Sequence, residues 1–135
     1  MKFKIGTYTK KNSKGIYRGE FINNEIKLDL WNEADNPTYL DECEDEVFSV
    51  VKKGEEGGVA YFKAGVLVNE VTEAGAPPCY VSYDKVNKLV YSANYHGGRI
   101  NTYKVENGKL VDVEKFVYPS GSKAHYVVYS KELNE

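Results

Sequence analysis

The chain carries two histidines, each set among polar and cationic neighbours. His125 stands in Lys123-Ala124-His125-Tyr126. His96 stands in Asn94-Tyr95-His96-Gly97-Gly98, with Arg99 next in line. An imidazole titrates near neutral pH, so either ring can take a proton from water and make that water nucleophilic. Lysine and arginine beside it attract anionic oxygens. Each site also has a structural reading. His125 fits a strand start hydrogen-bonded to a neighbouring turn, and His96 fits a brace for the tight turn that Gly97 and Gly98 permit.

Other chemistries find no footing. Cys43 and Cys79 are 36 residues apart, without a CxxC or a neighbouring histidine. That reads as reduced intracellular thiols, not a disulfide framework or a zinc site. The acidic run Asp41, Glu42, Glu44, Asp45 and Glu46 lacks the calcium-loop spacing and reads as a solvated turn. No Gly-x-Ser-x-Gly elbow, P-loop or dinucleotide fingerprint occurs, and no metal is expected.

The elements that position these residues follow from length and composition. At 135 residues the chain has room for one domain, and 18 basic against 20 acidic residues give a net charge of −2. That balance argues against a nucleic-acid or anionic-membrane partner. No apolar run is long enough to span a bilayer, and residues 1–8 lack the features of a signal peptide. A cytoplasmic protein is the expectation. Twelve Tyr, 5 Phe and 16 Val against 7 Leu, 7 Ala and 1 Met favour strands over helices. Short apolar runs broken by Gly, Asn, Asp, Lys and Pro place strands near 2–8, 14–22, 25–32, 37–42, 46–52 and 58–63. More follow near 66–72, 78–83, 88–94, 99–105, 109–117 and 124–130.

Internal repetition selects the architecture. Asn36-Pro37-Thr38-Tyr39-Leu40 returns as Pro77-Pro78-Cys79-Tyr80-Val81, and Tyr126 repeats the aromatic again, at offsets of 41 and 46. Val47-Phe48-Ser49-Val50 returns as Val90-Tyr91-Ser92-Ala93. Gly57-Gly58 followed by Phe62-Lys63 returns as Gly97-Gly98 followed by Tyr103-Lys104. A period of 40–46 residues with four strands per unit is the signature of an all-β propeller built of four-stranded antiparallel blades. Residues 1–35 supply strands b to d of one blade, 36–76 and 77–122 are complete blades, and 123–135 is the innermost strand of the next. The sum is about three blades' worth, an incomplete ring. Tyr39, Tyr80 and Tyr126 fall one per repeat on innermost strands and read as packing between blades.

The ordered motifs identify a relative. They are Ile5-Gly6-Thr7-Tyr8-Thr9, Glu33-Ala34-Asp35-Asn36-Pro37-Thr38-Tyr39-Leu40, Ala74-Gly75-Ala76-Pro77-Pro78-Cys79-Tyr80-Val81 and Tyr91-Ser92-Ala93-Asn94-Tyr95-His96-Gly97-Gly98. On them the sequence resembles the N-terminal portion of the seven-bladed β-propeller lactonase family, the propeller-type 6-phosphogluconolactonases. The resemblance implies hydrolysis of a sugar lactone such as 6-phosphogluconolactone to its aldonic acid, in carbohydrate metabolism and without a cofactor. The family's Pro-His-x-His element reads Lys123-Ala124-His125-Tyr126 here, so His125 matches its second histidine and Lys123 replaces the first. The Arg and Glu of the family's later blades have no counterpart in this sequence.

Blade topology gathers the b–c and d–a connections at one mouth. That mouth collects Thr9 to Lys14, Asn36, Lys52 to Gly57, Ala76 to Pro78, Tyr95 to Arg99 and Ser120 to His125. On this reading His125 is the candidate catalytic base, and His96, Arg99, Lys123, Tyr95 and Asn94 are candidate substrate contacts. The alternative is a non-catalytic propeller fragment that binds a partner or assembles with itself. Two copies would supply six blades' worth, with residues 124–130 of one chain completing the first blade of the other in a homodimer.

Overall fold

Val47-Phe48-Ser49-Val50-Val51 is apolar almost throughout, and so is Val59-Ala60-Tyr61-Phe62. Strands without alternation need cover on both faces. The computed structural model, which describes residues 1–133, supplies that cover by stacking three antiparallel sheets. The first holds β1 (Lys2–Ile5), β2 (Gly15–Ile22) and β3 (Glu25–Glu33) in that order. The second holds β4 (Leu40–Cys43), β5 (Glu46–Lys53), β6 (Glu56–Lys63) and β7 (Val66–Ala74). The third holds β8 (Tyr80–Asp84), β9 (Leu89–Asn94), β10 (Arg99–Glu106) and β11 (Lys109–Val117). These are β-propeller blades, about three blades' worth of an incomplete ring.

The pleat divides the middle sheet's side chains between two cores. Phe48, Val50, Val59 and Tyr61 pack against Val81, Val90, Tyr103 and Leu110 of the third sheet. Val47, Val51, Ala60 and Phe62 turn the other way, toward Ile16, Trp31 and Leu40. Each fully buried Val, Ile, Leu or Phe among them contributes about 1.5–3 kcal/mol of transfer free energy. Polar links tie the sheets at their edges. Asn69 of β7 exchanges two hydrogen bonds with the backbone of Leu110, its Nδ2 donating to the carbonyl at 2.8 Å and its Oδ1 accepting from the amide at 2.9 Å.

The outer hairpins share one design. Asn23-Asn24, Ala64-Gly65 and Asn107-Gly108 close them with positive φ at both residues. That is the type I′ turn, whose twist matches its flanking strands. Each outer hairpin also carries a one-residue bulge, at Trp31, Val68 and Val113. Repetition of the bulge shows that the three sheets are copies of one unit.

One expected strand is absent. Residues 122–130 lie in no strand, although a strand over 124–130 is what the sequence suggests. A ladder needs a partner backbone. The segment instead runs past β8, where the Ser82 hydroxyl donates to the Val127 carbonyl at 2.9 Å. Residues 134 and 135, the end of the expected blade strand 123–135, lie outside the described residues.

Candidate functional site

The connections that the repeat pattern assigns to one mouth do meet there. Thr9 and Asn36 bond reciprocally: the Thr9 amide donates to Asn36 Oδ1 and the Asn36 amide donates to Thr9 Oγ1, both at 3.1 Å. The Lys52 amide donates to the Asp35 carbonyl at 2.9 Å, joining the next two loops. Gly57 lets the following loop approach: a Cβ there would lie 2.4 Å from Cα of Pro77. Between these loops opens a cleft of about 410 Å³ lined by Tyr8, Lys10, Asn36, Thr38, Lys52, residues 76–79 and His96. No Asp or Glu is among those lining residues, so the local field is positive.

Tyr95 links the two histidines. Its ring meets His96 edge-on at 5.4 Å and His125 edge-on at 5.9 Å. The Lys123 ammonium stands 4.9 Å from the same ring's centre, a cation–π contact. Lys123 and His125 thus both contact the Tyr95 ring, and His125 is exposed. Gly98, at φ 57°, shapes the turn that presents this group, and a Cβ there would lie 2.7 Å from the Ser122 carbonyl oxygen.

Two expected contacts are committed elsewhere. Asn94 is buried, with Nδ2 donating to the Ala76 carbonyl and Oδ1 accepting from the Gly97 amide, both at 2.7 Å. It therefore fastens the Tyr95-His96 turn to the cleft wall, where the sequence suggests substrate contact. Arg99, expected as an anion clamp, forms an ion pair with Glu73 at 3.0 Å. Glu73 also accepts from Asn101 at 3.0 Å and pairs with Lys115. Burial alone would raise the Glu73 pKa. The hydrogen bonds from Lys115 and Asn101 and the charges of Arg99 and Lys115 outweigh it, holding the carboxyl below its usual range. A guanidinium so neutralised adds little to the mouth's field.

The mouth lysines also divide. Lys10 and Lys52 line the cleft, whereas Lys53 pairs with Glu70 at 3.0 Å. Lys10 and Lys52 become distinguishable from the other loop lysines only through three-dimensional placement. The acidic run corrects its solvated-turn reading as well. Asp41 Oδ2 accepts from the Tyr83 amide at 2.8 Å, and the Glu46 carboxylate takes hydrogen bonds from the Tyr61 and Tyr83 hydroxyls. The run holds neighbouring sheets together.

Among the described residues no group of three or more His, Cys, Asp or Glu side chains is placed to hold a metal ion, and no helix is long and apolar enough to cross a membrane.

Comparison with known proteins accords with this architecture. An uncharacterised protein of Lactococcus lactis is 38% identical over 119 residues, covering 81% of this chain and 35% of its own. The 6-phosphogluconolactonase of Bacillus subtilis is 35% identical over 118 residues, covering 78% of this chain and 34% of its own. This chain thus spans about a third of the length of these curated relatives. A crystal structure of a Lactobacillus plantarum protein superposes with a TM-score of 0.79 at 36% identity, covering 87% of this chain and 37% of that one. The profile described as "Lactonase, 7-bladed beta-propeller" matches residues 2–131, and the chain belongs to that family.

Proposed function

We propose that this chain forms part of a lactonase mouth that opens a sugar lactone such as 6-phosphogluconolactone to its aldonic acid. The observation that carries this reading is the cationic cleft beside the Tyr95-centred pair of histidines, in a chain of the lactonase family. Lys10 and Lys52 hold the phosphate or hydroxyl oxygens of the substrate. His125 takes a proton from water as its oxygen bonds to the lactone carbonyl carbon. Lys123 stabilises the negative charge that develops on the carbonyl oxygen. The ring C–O bond then breaks, and the leaving oxygen takes the proton from the imidazole. The products are an acid and an alcohol on one open chain. The free thiols of Cys43 and Cys79 fit a reducing cytoplasm as the compartment.

A second reading is binding without turnover, favoured by the commitment of Arg99 to Glu73 and of Asn94 to its neighbouring loop. Acid release from freshly made 6-phosphogluconolactone, against the spontaneous rate, tests the first. His125→Gln and Lys52→Ala are expected to lower that rate, and Lys109→Ala, on an outer hairpin, to leave it unchanged. Calorimetric titration with 6-phosphogluconate separates the two. Saturable binding with only the spontaneous rate supports the second reading. Folded protein that neither binds nor accelerates overturns both.

A further inference from the structure

Two glycines sit in the turn that carries His96, for different reasons. Gly98 takes the left-handed φ of 57° that favours glycine. Gly97 lies outside that region, so a left-handed backbone is not what calls for glycine there. Its side-chain space is already taken. A Cβ at Gly97 would lie 2.4 Å from Arg99 Nη1 and 3.1 Å from Asn94 Oδ1. Asn94 and Arg99 face each other in the strand register and close the hairpin loop 95–98. Both residues of the closing pair therefore grip the loop at Gly97.

The same short stretch of chain, at the end of β7, fastens each of them. Asn94 Nδ2 donates to the Ala76 carbonyl at 2.7 Å, and Arg99 Nη2 pairs with Glu73 Oε1 at 3.0 Å. Asn101 and Lys115 hold Glu73 in turn. The Arg99 side chain is only 16% exposed, and its Nε is buried with no hydrogen-bond partner among the described residues. A buried donor left unpaired is unfavourable. Lysine would supply the charge for Glu73 without that donor. What arginine adds is a second arm: Nη2 reaches Glu73 while Nη1 stands against Gly97.

We propose that Arg99 is a positioning residue for the mouth. Braced by Glu73, its guanidinium fixes the Gly97-Gly98 turn, so that the Tyr95 ring keeps its contacts to His96, His125 and Lys123. The inference rests on the lactonase reading for what is positioned, and on the Gly97 contact for how. Arg99 touches no reacting atom in this scheme and acts only through the turn. Misplacement of a reacting group by about 1 Å can cost on the order of a hundredfold in rate. A brace at the base of the histidine turn is therefore felt at the chemistry.

Proton NMR tests this through the Overhauser cross-peaks from the Tyr95 ring to the His96 and His125 rings, beside acid release from 6-phosphogluconolactone. Arg99→Lys keeps a cation for Glu73 and loses the second arm, and Gly97→Ala pushes that arm away. Lys115→Ala weakens the same network through the other Glu73 oxygen, on β11. The first two variants are each expected to weaken the cross-peaks and to lower kcat on the order of tenfold. KM should stay within about twofold, because Lys10 and Lys52 stand on other loops. Lys115→Ala is expected to leave cross-peaks and kcat unchanged. In the Gly97→Ala, Arg99→Lys double variant the added methyl meets no guanidinium, so the cross-peaks should be no weaker than in Arg99→Lys alone. Full cross-peaks in folded Arg99→Lys, additive losses in the double variant, or an equal loss in Lys115→Ala would each overturn the proposal. A parent that releases acid only at the spontaneous rate overturns the lactonase reading alone, and the cross-peaks then decide the role of Arg99.

Discussion

Glu46 of β5 accepts a hydrogen bond of 2.9 Å from the hydroxyl of Tyr83 on β8, across the boundary between the second and third sheets. Its other oxygen accepts from Tyr61 at 2.6 Å, and the side chain is only 15% exposed. Hydrogen bonds to a charged acceptor contribute about 1.5–3 kcal/mol each when well desolvated. Glu46→Gln is expected to lower unfolding stability by about 1–3 kcal/mol, and Tyr83→Phe by about 1 kcal/mol. Urea unfolding measures both. The double variant should lose less than the sum, because the two act in one network.

Alkaline pH should probe the same boundary. Burial, with hydrogen bonds to Glu46, raises the pKa of Tyr61 and Tyr83 above the ordinary 10.0. Burial, with the hydrogen bond to Tyr126, raises Tyr80, and burial pushes Tyr103 up to about 12. Raised phenol pKa values mean that the folded state holds these protons more tightly. The stability they contribute is full below about pH 10 and is lost as pH rises through the folded values. Phenolate absorbance should therefore show a late-titrating group, with thermal stability falling over the same interval.

The acid limb should report Glu73. Its pKa is depressed below the 4.5 of a free glutamate, so its contribution is present above about pH 4.5 and lost as pH falls through the lower folded value. Glu73→Gln is expected to cost about 1–2 kcal/mol at neutral pH, a modest figure for a partly exposed ion-pair group. Thermal melts from pH 3 to 7 should show a shallower acid slope in the variant. An unchanged slope would remove Glu73 from the account.

Ala64 is the weak point among the outer turns. It holds φ of 49°, where the equivalent first turn positions are Asn23 and Asn107. A Cβ in the left-handed region costs about 1–2 kcal/mol, and asparagine tolerates it better. Ala64→Asn is expected to stabilise the chain by about 0.5–1 kcal/mol, read as a higher denaturant midpoint with unchanged slope.

Asn94 makes two hydrogen bonds from a fully buried position at the cleft wall. Asn94→Ala is expected to cost about 1–3 kcal/mol, because the Ala76 carbonyl and Gly97 amide lose their partner. Proton NMR should show the Tyr95 and His96 ring signals moving while those of Tyr61 hold. Uniform movement of all rings would indicate a global effect instead.

Eleven of the twelve strands suggested by composition and spacing are present, because turn residues punctuate each run and the repeat fixes its meaning. The exception, 124–130, has the right residues for a strand and no ladder partner among the described residues. Pattern within a chain cannot reveal that lack. The grouping of His96, His125, Tyr95 and Lys123 followed from blade topology alone. The commitment of Arg99 to Glu73 and of Asn94 to its neighbouring loop was not legible. Those partners lie 26 and 18 residues away in sequence and meet only through the stacking of sheets. The acidic run misled for a related reason: a carboxylate at a turn looks solvated until the adjacent sheet brings Tyr83 to it.

Among the described residues the second sheet shares an apolar boundary with a neighbour on each side, whereas the first and third share one each. Losing an end sheet uncovers a single boundary, and losing the central one uncovers both. Local opening should therefore be graded along the chain, with amide hydrogens of β5 and β6 exchanging last and those of β3 and β11 early. Folding by the same logic condenses outward from residues 46–63.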